Sequence, residues 1–423
     1  MSGSGFSGGG FSGGGDKQKR ECNKIIKKVR AGNVKLAKLP TYTSCLRIFT
    51  KDIRKARKAT TLAKRAKRGG DLKKPTDSVS GDVEHTLINR IKNYNGIRSQ
   101  LSQLKEEECL EKKTFSNGTT GYTVRNIINL EKRMGSKSRN SSIYLTSISG
   151  VPKTSPIVAK VMLYNTNNIL ETDLMTMITN SIILKSVSRH FLMTYGDCVC
   201  TKRIAKKLRF ISVNELADGD LKTLIEIREV VEDTELMFNM LLQIFISIAT
   251  YHNLVGYLHR DTHYGNFLYQ TNSEKGYYHY TFQGKDYYLK SCKYNMMIYD
   301  YGFSKKIDSP EDAEGVIKKK EGVFNDYMKI IHAFILRKSK GWINLTNIPS
   351  YKETNYNMIR IANILDVYIQ TELTHYAAHS SSSFATLIFS NIIQDVFLKY
   401  APNAMFLSQR PPNVINKIPF RID

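Results

Sequence analysis

The strongest constraint on this chain is the order of three short signatures. Residues 156–163 read PIVAKVML, a strand pattern with one cation, Lys160, inside an apolar run. Far downstream, residues 257–268 read YLHRDTHYGNFL, with Asp261 set ahead of Asn266 and apolar residues following. Then MMIY, residues 296–299, forms a short apolar strand candidate that ends in Asp300-Tyr301-Gly302. Each alone is weak, because a strand Lys usually extends its ammonium to water and Asp-Tyr-Gly is a common turn. In this order they supply what phosphate chemistry requires, a cation to clamp phosphate oxygens and carboxylate or amide oxygens to hold Mg²⁺.

The intervening sequence is consistent with that order. Residues 209–214 (RFISVN) read as a strand, followed by Glu215-Leu216-Ala217-Asp218-Gly219-Asp220-Leu221. Residues 235–252 form a long helix candidate with an apolar face, and Asn325-Asp326-Tyr327 opens the apolar stretch 330–336. The set resembles the signature of the protein-kinase superfamily. It looks closest to divergent serine/threonine kinases of large DNA viruses and to the vaccinia-related group, where Tyr also replaces Phe after the metal-binding Asp.

The resemblance spans about residues 135–336 and implies an α+β, bilobal protein-kinase-like fold with a small β-rich N-lobe and a larger helical C-lobe. It implies an ATP- and Mg²⁺-dependent enzyme that transfers the γ-phosphate to Ser/Thr hydroxyls of protein substrates. On that implication Lys160 holds the α and β phosphates, and Asp261 accepts a hydrogen bond from the acceptor hydroxyl and orients it. Asn266 and Asp300 ligate Mg²⁺, backbone groups at Glu215 and Ala217 meet adenine, and Gly135 belongs to the loop over the phosphates. His259 packs under the catalytic loop, and Asp326, at the start of a later helix, braces that loop's backbone.

Several positions depart from the family pattern. The Gly-rich loop is reduced to Gly135 among Ser, with Lys137 and Arg139 nearby. The position for the acidic partner of Lys160 falls near Asn180, leaving Glu171 and Asp173 as substitutes, or Glu171 as a residue that merely favours a helix N-terminus. A Tyr-rich insertion, residues 277–294, is expected to form a hairpin turning at Gln283-Gly284-Lys285-Asp286. The stretch from Asp300 to Asp326 is short, and HRDTHYGN is similar to the loop of aminoglycoside and choline kinases as well. Two other readings therefore stay open: a kinase-fold scaffold without catalysis, and a small-molecule kinase. Arg260 is a candidate to receive a phosphate on Ser304 or Ser309.

The net charge of +25 is concentrated: residues 16–75 hold 21 Lys+Arg against 4 Asp+Glu. This basic arm is suited to nucleic acid or another polyanion, though a solubilising tail would look the same. Ahead of it, a tandem FSGGG repeat reads as a flexible Gly/Ser tail over residues 1–15. Residues 76–117 are expected to be helical, as two short amphipathic helices separated at Asn95-Gly96 and without chemistry of their own. Residues 118–214 are assigned to the N-lobe, 215–400 to the C-lobe and 401–423 to a C-terminal tail. The apolar run 237–249 is too short for a bilayer span, and no secretory signal precedes the arm. The six Cys show no framework spacing, so Cys198 and Cys200 are expected as plain buried thiols in an intracellular protein that is not secreted. For a viral member the setting would be the virion or the host cytoplasm or nucleus.

Overall fold

The computed structural model describes residues 85–423 except 106–107, 117, 135–140, 152–156, 205–206, 226, 308–312, 332–355 and 376–380. The readings of the Gly/Ser tail, the basic arm, Gly135, Lys137, Arg139 and Ser309 lie outside the described residues.

The architecture is α+β. Seven strands form one antiparallel sheet: β1 (Glu111–Thr114), β2 (Thr120–Val124), β3 (Ile128–Met134), β4 (Ser141–Ile148), β5 (Ile157–Leu163), β6 (Thr194–Ile204) and β7 (Lys207–Glu215). Their order is β1-β2-β3-β4-β5-β7-β6. β5 lies between β4 and β7 and is buried along almost its whole length, which explains its continuous apolar run. Helix Thr166–Ile178 follows it, with the Asn165 side chain accepting from the Asn168 N–H at 2.9 Å as N-cap. Leu174, Met175 and Ile178 of this helix are buried.

Helix Leu87–Leu101 is continuous, so the expected break at Asn95-Gly96 does not occur. One stripe of Leu87, Ile91, Tyr94, Ile97 and Leu101 runs through it, and Ile97 and Leu101 are buried in the core. Packing of that stripe offsets the roughly 1 kcal/mol that a mid-helix Gly costs. The two expected helices are thus one, and the helical reading does not extend to residue 117, because Glu111–Thr114 pairs with β2 as the sheet's edge strand.

β7 runs on into β8 (Gly219–Asp220) and two short helices, Leu221–Leu224 and Arg228–Glu232. Helix Thr234–Thr250, capped by Asp233, is buried from Met237 to Thr250 on every side. With its continuation to Val255 it is long and apolar enough to cross a membrane, longer than the apolar run alone indicates; 83% of its apolar window is buried inside the protein. Gly256, at φ +78°, ends it in the left-handed conformation that favours Gly.

Beyond it lie β9 (Tyr257–Leu258), β10 (Phe267–Thr271), β11 (Tyr277–Phe282), β12 (Lys285–Lys290), β13 (Tyr294–Ile298) and β14 (Lys305–Lys306). β11 and β12 form the expected hairpin, and its two-residue turn, Gln283 at φ +49° and Gly284 at φ +68°, has the positive-φ pair of a tight hairpin. Helices Ala313–Ile330, Tyr356–His375 and Ser381–Ile392 follow. The last segment is built into the fold, contrary to a simple tail: β15 (Phe406–Leu407) and β16 (Phe420–Arg421) flank the hairpin in the order β15-β12-β11-β16.

Cys198 is a buried free thiol, as expected, and burial pushes it up to about 12. Cys200 departs from the expectation, being joined to Cys109 in a disulfide across 91 residues of sequence. The two residues are far apart in the chain, and residue spacing does not carry their pairing.

Candidate active site

Lys160 projects from the middle of β5, opposite Ile143 of β4 and Ser212 of β7. Its Nζ lies 2.5 Å from Glu171 Oε1 and 3.3 Å from Asp300 Oδ1, with the Tyr299 ring centroid 5.4 Å away. Burial by itself would pull the ammonium down, but Tyr299, Glu171 and Asp300 outweigh it and hold Lys160 above its ordinary value. Of the two candidate acids Glu171 is the partner; Asp173 is exposed, as is Asn180 at the position where the family pattern puts the acid. Glu171 sits in the second turn of its helix, too far along to be explained as a charge at the N-terminus.

The catalytic-loop candidate is held from three directions. Asp326 is fully buried and accepts from the His259 N–H at 2.7 Å, the Arg260 N–H at 2.8 Å and His252 Nε2 at 2.9 Å. Asp326 lies in the last turns of helix Ala313–Ile330, whereas the sequence pattern put it at a helix start. Lys329, one turn further on, donates to the Arg260 carbonyl at 2.5 Å. His259 is completely buried beneath the loop; its Nε2 bonds the Tyr299 carbonyl at 2.9 Å and its Nδ1 accepts from the Asp261 N–H at 3.3 Å. That pattern defines the neutral Nε2–H tautomer, consistent with burial lowering its pKa, and gives it a positioning role. Tyr301 stacks on Tyr251 at 5.1 Å and meets the His259 ring edge-on at 5.6 Å.

Asn266 turns back on Asp261, donating from Nδ2 to the Asp261 carbonyl at 2.9 Å and to Oδ2 at 3.2 Å. Its Oδ1 is left as an oxygen donor. The Asn266 carbonyl accepts from the Tyr299 N–H at 2.9 Å, and β10 pairs with β13 from Phe267↔Ile298 onward. That pairing fixes Asn266 beside the strand end that carries Asp300. The structure thus brings Lys160 to Asp300 and Asp261 to Asn266, and ties the two pairs through the backbone.

Among the described residues no group of three or more His, Cys, Asp and Glu side chains converges as a metal site. The Asp300 carboxylate and the Asn266 amide oxygen nevertheless suit Mg²⁺, which commonly takes one or two protein oxygens and completes its shell with water and substrate phosphates.

Glu215 and Ala217 lie where the chain crosses from β7 to β8, and β8 pairs with β10 at Leu268↔Asp220 and Tyr269↔Gly219. The Glu215 N–H is taken by the Met193 carbonyl at 2.9 Å. Among the described residues the Ala217 N–H has no partner, which leaves it available to a ligand. The Glu215 carboxylate is buried and accepts from Arg90 Nε at 2.7 Å and Nη2 at 2.8 Å, from Gln270 at 2.9 Å and from the Met193 N–H at 3.1 Å. Burial would raise its pKa, but Arg90, Gln270 and the Met193 N–H outweigh that and lower it. Arg90 also donates to the Arg189 and Phe191 carbonyls, and so anchors helix Leu87–Leu101 to this crossing. Sequence reasoning found no chemistry in that helix. The available signal was that Arg90 falls on its apolar stripe, one turn from Leu87 and Tyr94.

The proposed phosphate acceptor Ser304 is buried, and its oxygen accepts from the Tyr251 hydroxyl at 2.6 Å, so it is a packed contact and not an open modification site. No protein-family model matches the chain, and no curated protein matches it.

Proposed function

We propose that this chain is an ATP- and Mg²⁺-dependent phosphotransferase with a bilobal protein-kinase-like fold, acting on Ser and Thr hydroxyls of proteins. The observation that carries the reading is the Lys160 ammonium, drawn from a central strand into contact with both Glu171 and Asp300. A structural lysine would extend to water; this one is buried and aimed at the carboxylate that the order of motifs assigns to metal.

In this reading Glu171 fixes the rotamer of Lys160, which binds phosphate oxygens. Asp300 and Asn266 Oδ1 hold Mg²⁺, which when bound neutralises charge on the β and γ phosphates. Asp261 orients the acceptor hydroxyl, the Ala217 N–H offers adenine a hydrogen bond, and His259 and Asp326 keep the loop in place. Gly135 belongs to the phosphate-covering segment, and the basic arm over residues 16–75 docks the enzyme on nucleic acid or another polyanion.

Labelled ATP with Mg²⁺ and a mixed protein lysate tests the reading: wild type should label proteins and Asp261→Asn should not. Wild-type-like autophosphorylation by Asp300→Ala would sink the metal assignment. Absence of any thermal shift at millimolar ATP and Mg²⁺ would favour the scaffold instead. One observation favours a small-molecule acceptor: His263, at a position where many protein kinases carry Lys, places Nε2 3.6 Å from Asp261 Oδ2. Activity on amino alcohols or aminoglycosides, with none on proteins, would establish that version.

A further inference from the structure

A cavity of about 360 Å³ opens between the N-terminal end of helix Leu87–Leu101, the Ser186–Arg189 turn, the β11 hairpin strand and the last residues of the chain. None of the residues assigned above to phosphate transfer lines it. Its walls include Leu87, Ile88, Ile415, Ile418 and Phe420, and Ile88 and Ile418 are 79% and 69% exposed, large for side chains with no polar group. Two cations line it: Lys417, exposed at the rim, and Arg189, which is buried within the protein.

Arg189 is only 5% exposed, and among the described residues its guanidinium makes no hydrogen bond and no ion pair. It lies over the face of the Tyr278 ring, whose centroid is 3.6 Å from Cζ. The neighbouring buried guanidinium of Arg90 is, by contrast, fully used by Glu215 and two carbonyls. A desolvated charge is costly unless paired, and one cation–π contact offsets only part of that cost. Its five N–H donors in a rigid fork thus line a largely apolar space with no acceptor in hydrogen-bond reach among the described residues, the Glu274 carboxylate of the same cavity attracting the guanidinium only from a longer range.

We propose that this cavity binds an amphipathic monocarboxylate, its carboxylate taken bidentately by Arg189 and its apolar body laid against Leu87, Ile415 and Phe420. The volume falls within the range of small-molecule sites, and a planar carboxylate matches the guanidinium fork. A single negative charge is favoured over a phosphate dianion because Glu274 lines the same cavity, held by the Tyr278 hydroxyl at 2.7 Å, and opposes each added negative charge, while Lys417 at the rim is exposed and screened by solvent.

The test is isothermal titration of the full chain with sodium octanoate, run beside octan-1-ol, octylamine and octyl phosphate. Octanoate should bind one to one, with the alcohol and the amine at least tenfold weaker, and Arg189→Gln should weaken octanoate at least tenfold. Because Arg189 is buried, Ile418→Glu provides a second variant: it puts a carboxylate at the exposed rim and should weaken octanoate at least fivefold with the unliganded melting temperature unchanged. The proposal fails if the full chain does not bind octanoate or if Arg189→Gln binds it as wild type does. It fails equally if octyl phosphate or octylamine binds more tightly, or if ATP displaces octanoate competitively.

Discussion

Lys160→Met should cost stability by an amount that pH controls. The substitution keeps an apolar stem of similar length and removes the cation that lies 2.5 Å from Glu171. Glu171 is 1% exposed, and burial already pushes its carboxyl up against the opposing effect of Lys160. Without that opposition the carboxyl takes up a proton on folding instead of staying charged. With an unfolded pKa of about 4.3, the cost of that proton at pH 7 is bounded at about 4 kcal/mol. The variant's folded pKa lies above the unfolded one, so the loss is smallest below about pH 4.3 and grows as pH rises. Burial already raises wild-type Glu171, which shares part of this pH dependence, so the deficit relative to wild type should widen from pH 5 to pH 7 while staying under about 4 kcal/mol. Urea denaturation at pH 5, 6 and 7 measures it.

The double variant Lys160→Met/Glu171→Leu removes both charges and should recover most of the stability, since apolar replacement of a buried ion pair is close to neutral. It should transfer no phosphate. A deficit that stays constant from pH 5 to pH 7 would show that Glu171 carries no charge beside Lys160. No deficit at pH 7 would show that the pair does not form, and the reading of the site would lose its main support.

Asp326→Asn turns one acceptor into a donor facing the loop N–H groups or His252. It should destabilise by roughly 2–4 kcal/mol in a urea melt and slow phosphate transfer more than tenfold, and unchanged stability would show that the loop does not depend on it. His190, buried against the Met296 carbonyl and the Tyr280 hydroxyl, is pushed down to about 3 by burial and by Arg189. Its neutral form stabilises the fold above about pH 6.5, and that contribution is lost as pH falls toward 3. Between pH 7 and pH 5 it should withdraw about 2 kcal/mol, and His190→Gln should show a correspondingly flatter pH profile. Arg90→Met strands the Glu215 carboxylate and should destabilise by roughly 3–5 kcal/mol in the same melt, whereas a loss under 1 kcal/mol would place the anchoring elsewhere. Deleting residues 1–75 should leave phosphate transfer intact and abolish salt-sensitive binding to DNA cellulose; loss of catalysis would tie the arm to the fold.

Local pattern made some elements legible and left others hidden. β5, β7, β13, the hairpin over Tyr277–Lys290 and the helix ahead of the loop each carry their own periodicity or turn residues, so one window of sequence suffices. The Lys160 partner was legible only as a pair of candidates, because helix phase decides between Glu171 and Asp173 and a boundary uncertain by two residues reverses the choice. Helix Leu87–Leu101 was split wrongly because Asn95-Gly96 is a strong local turn signal, and the stripe that overrides it gains its energy from packing elsewhere. The Arg90–Glu215 pair spans 125 residues and the Cys109–Cys200 disulfide 91, distances at which spacing carries no information.

The same long-range contacts explain two backbone positions that local rules disfavour. Arg260 and Asp300 have φ of +68° and +67°, left-handed values that cost a residue with a Cβ about 1–3 kcal/mol each. Both are over-determined by their neighbours. The Arg260 N–H is held by Asp326 and its carbonyl by Lys329, while the carbonyl before Asp300 is held by His259 and its carboxylate by Lys160. Helix Ala313–Ile330 thus fixes one strained residue, and β5 with the loop histidine fixes the other. Positive φ alone does not mark a site, since Arg125, Asn126, Ser186, Gln283, Asn403 and Ala404 share it in turns. Two non-glycine residues kept left-handed by four buried or charged contacts are better explained by what their side chains and flanking groups must face, which on the proposed chemistry is phosphate, metal and the acceptor hydroxyl.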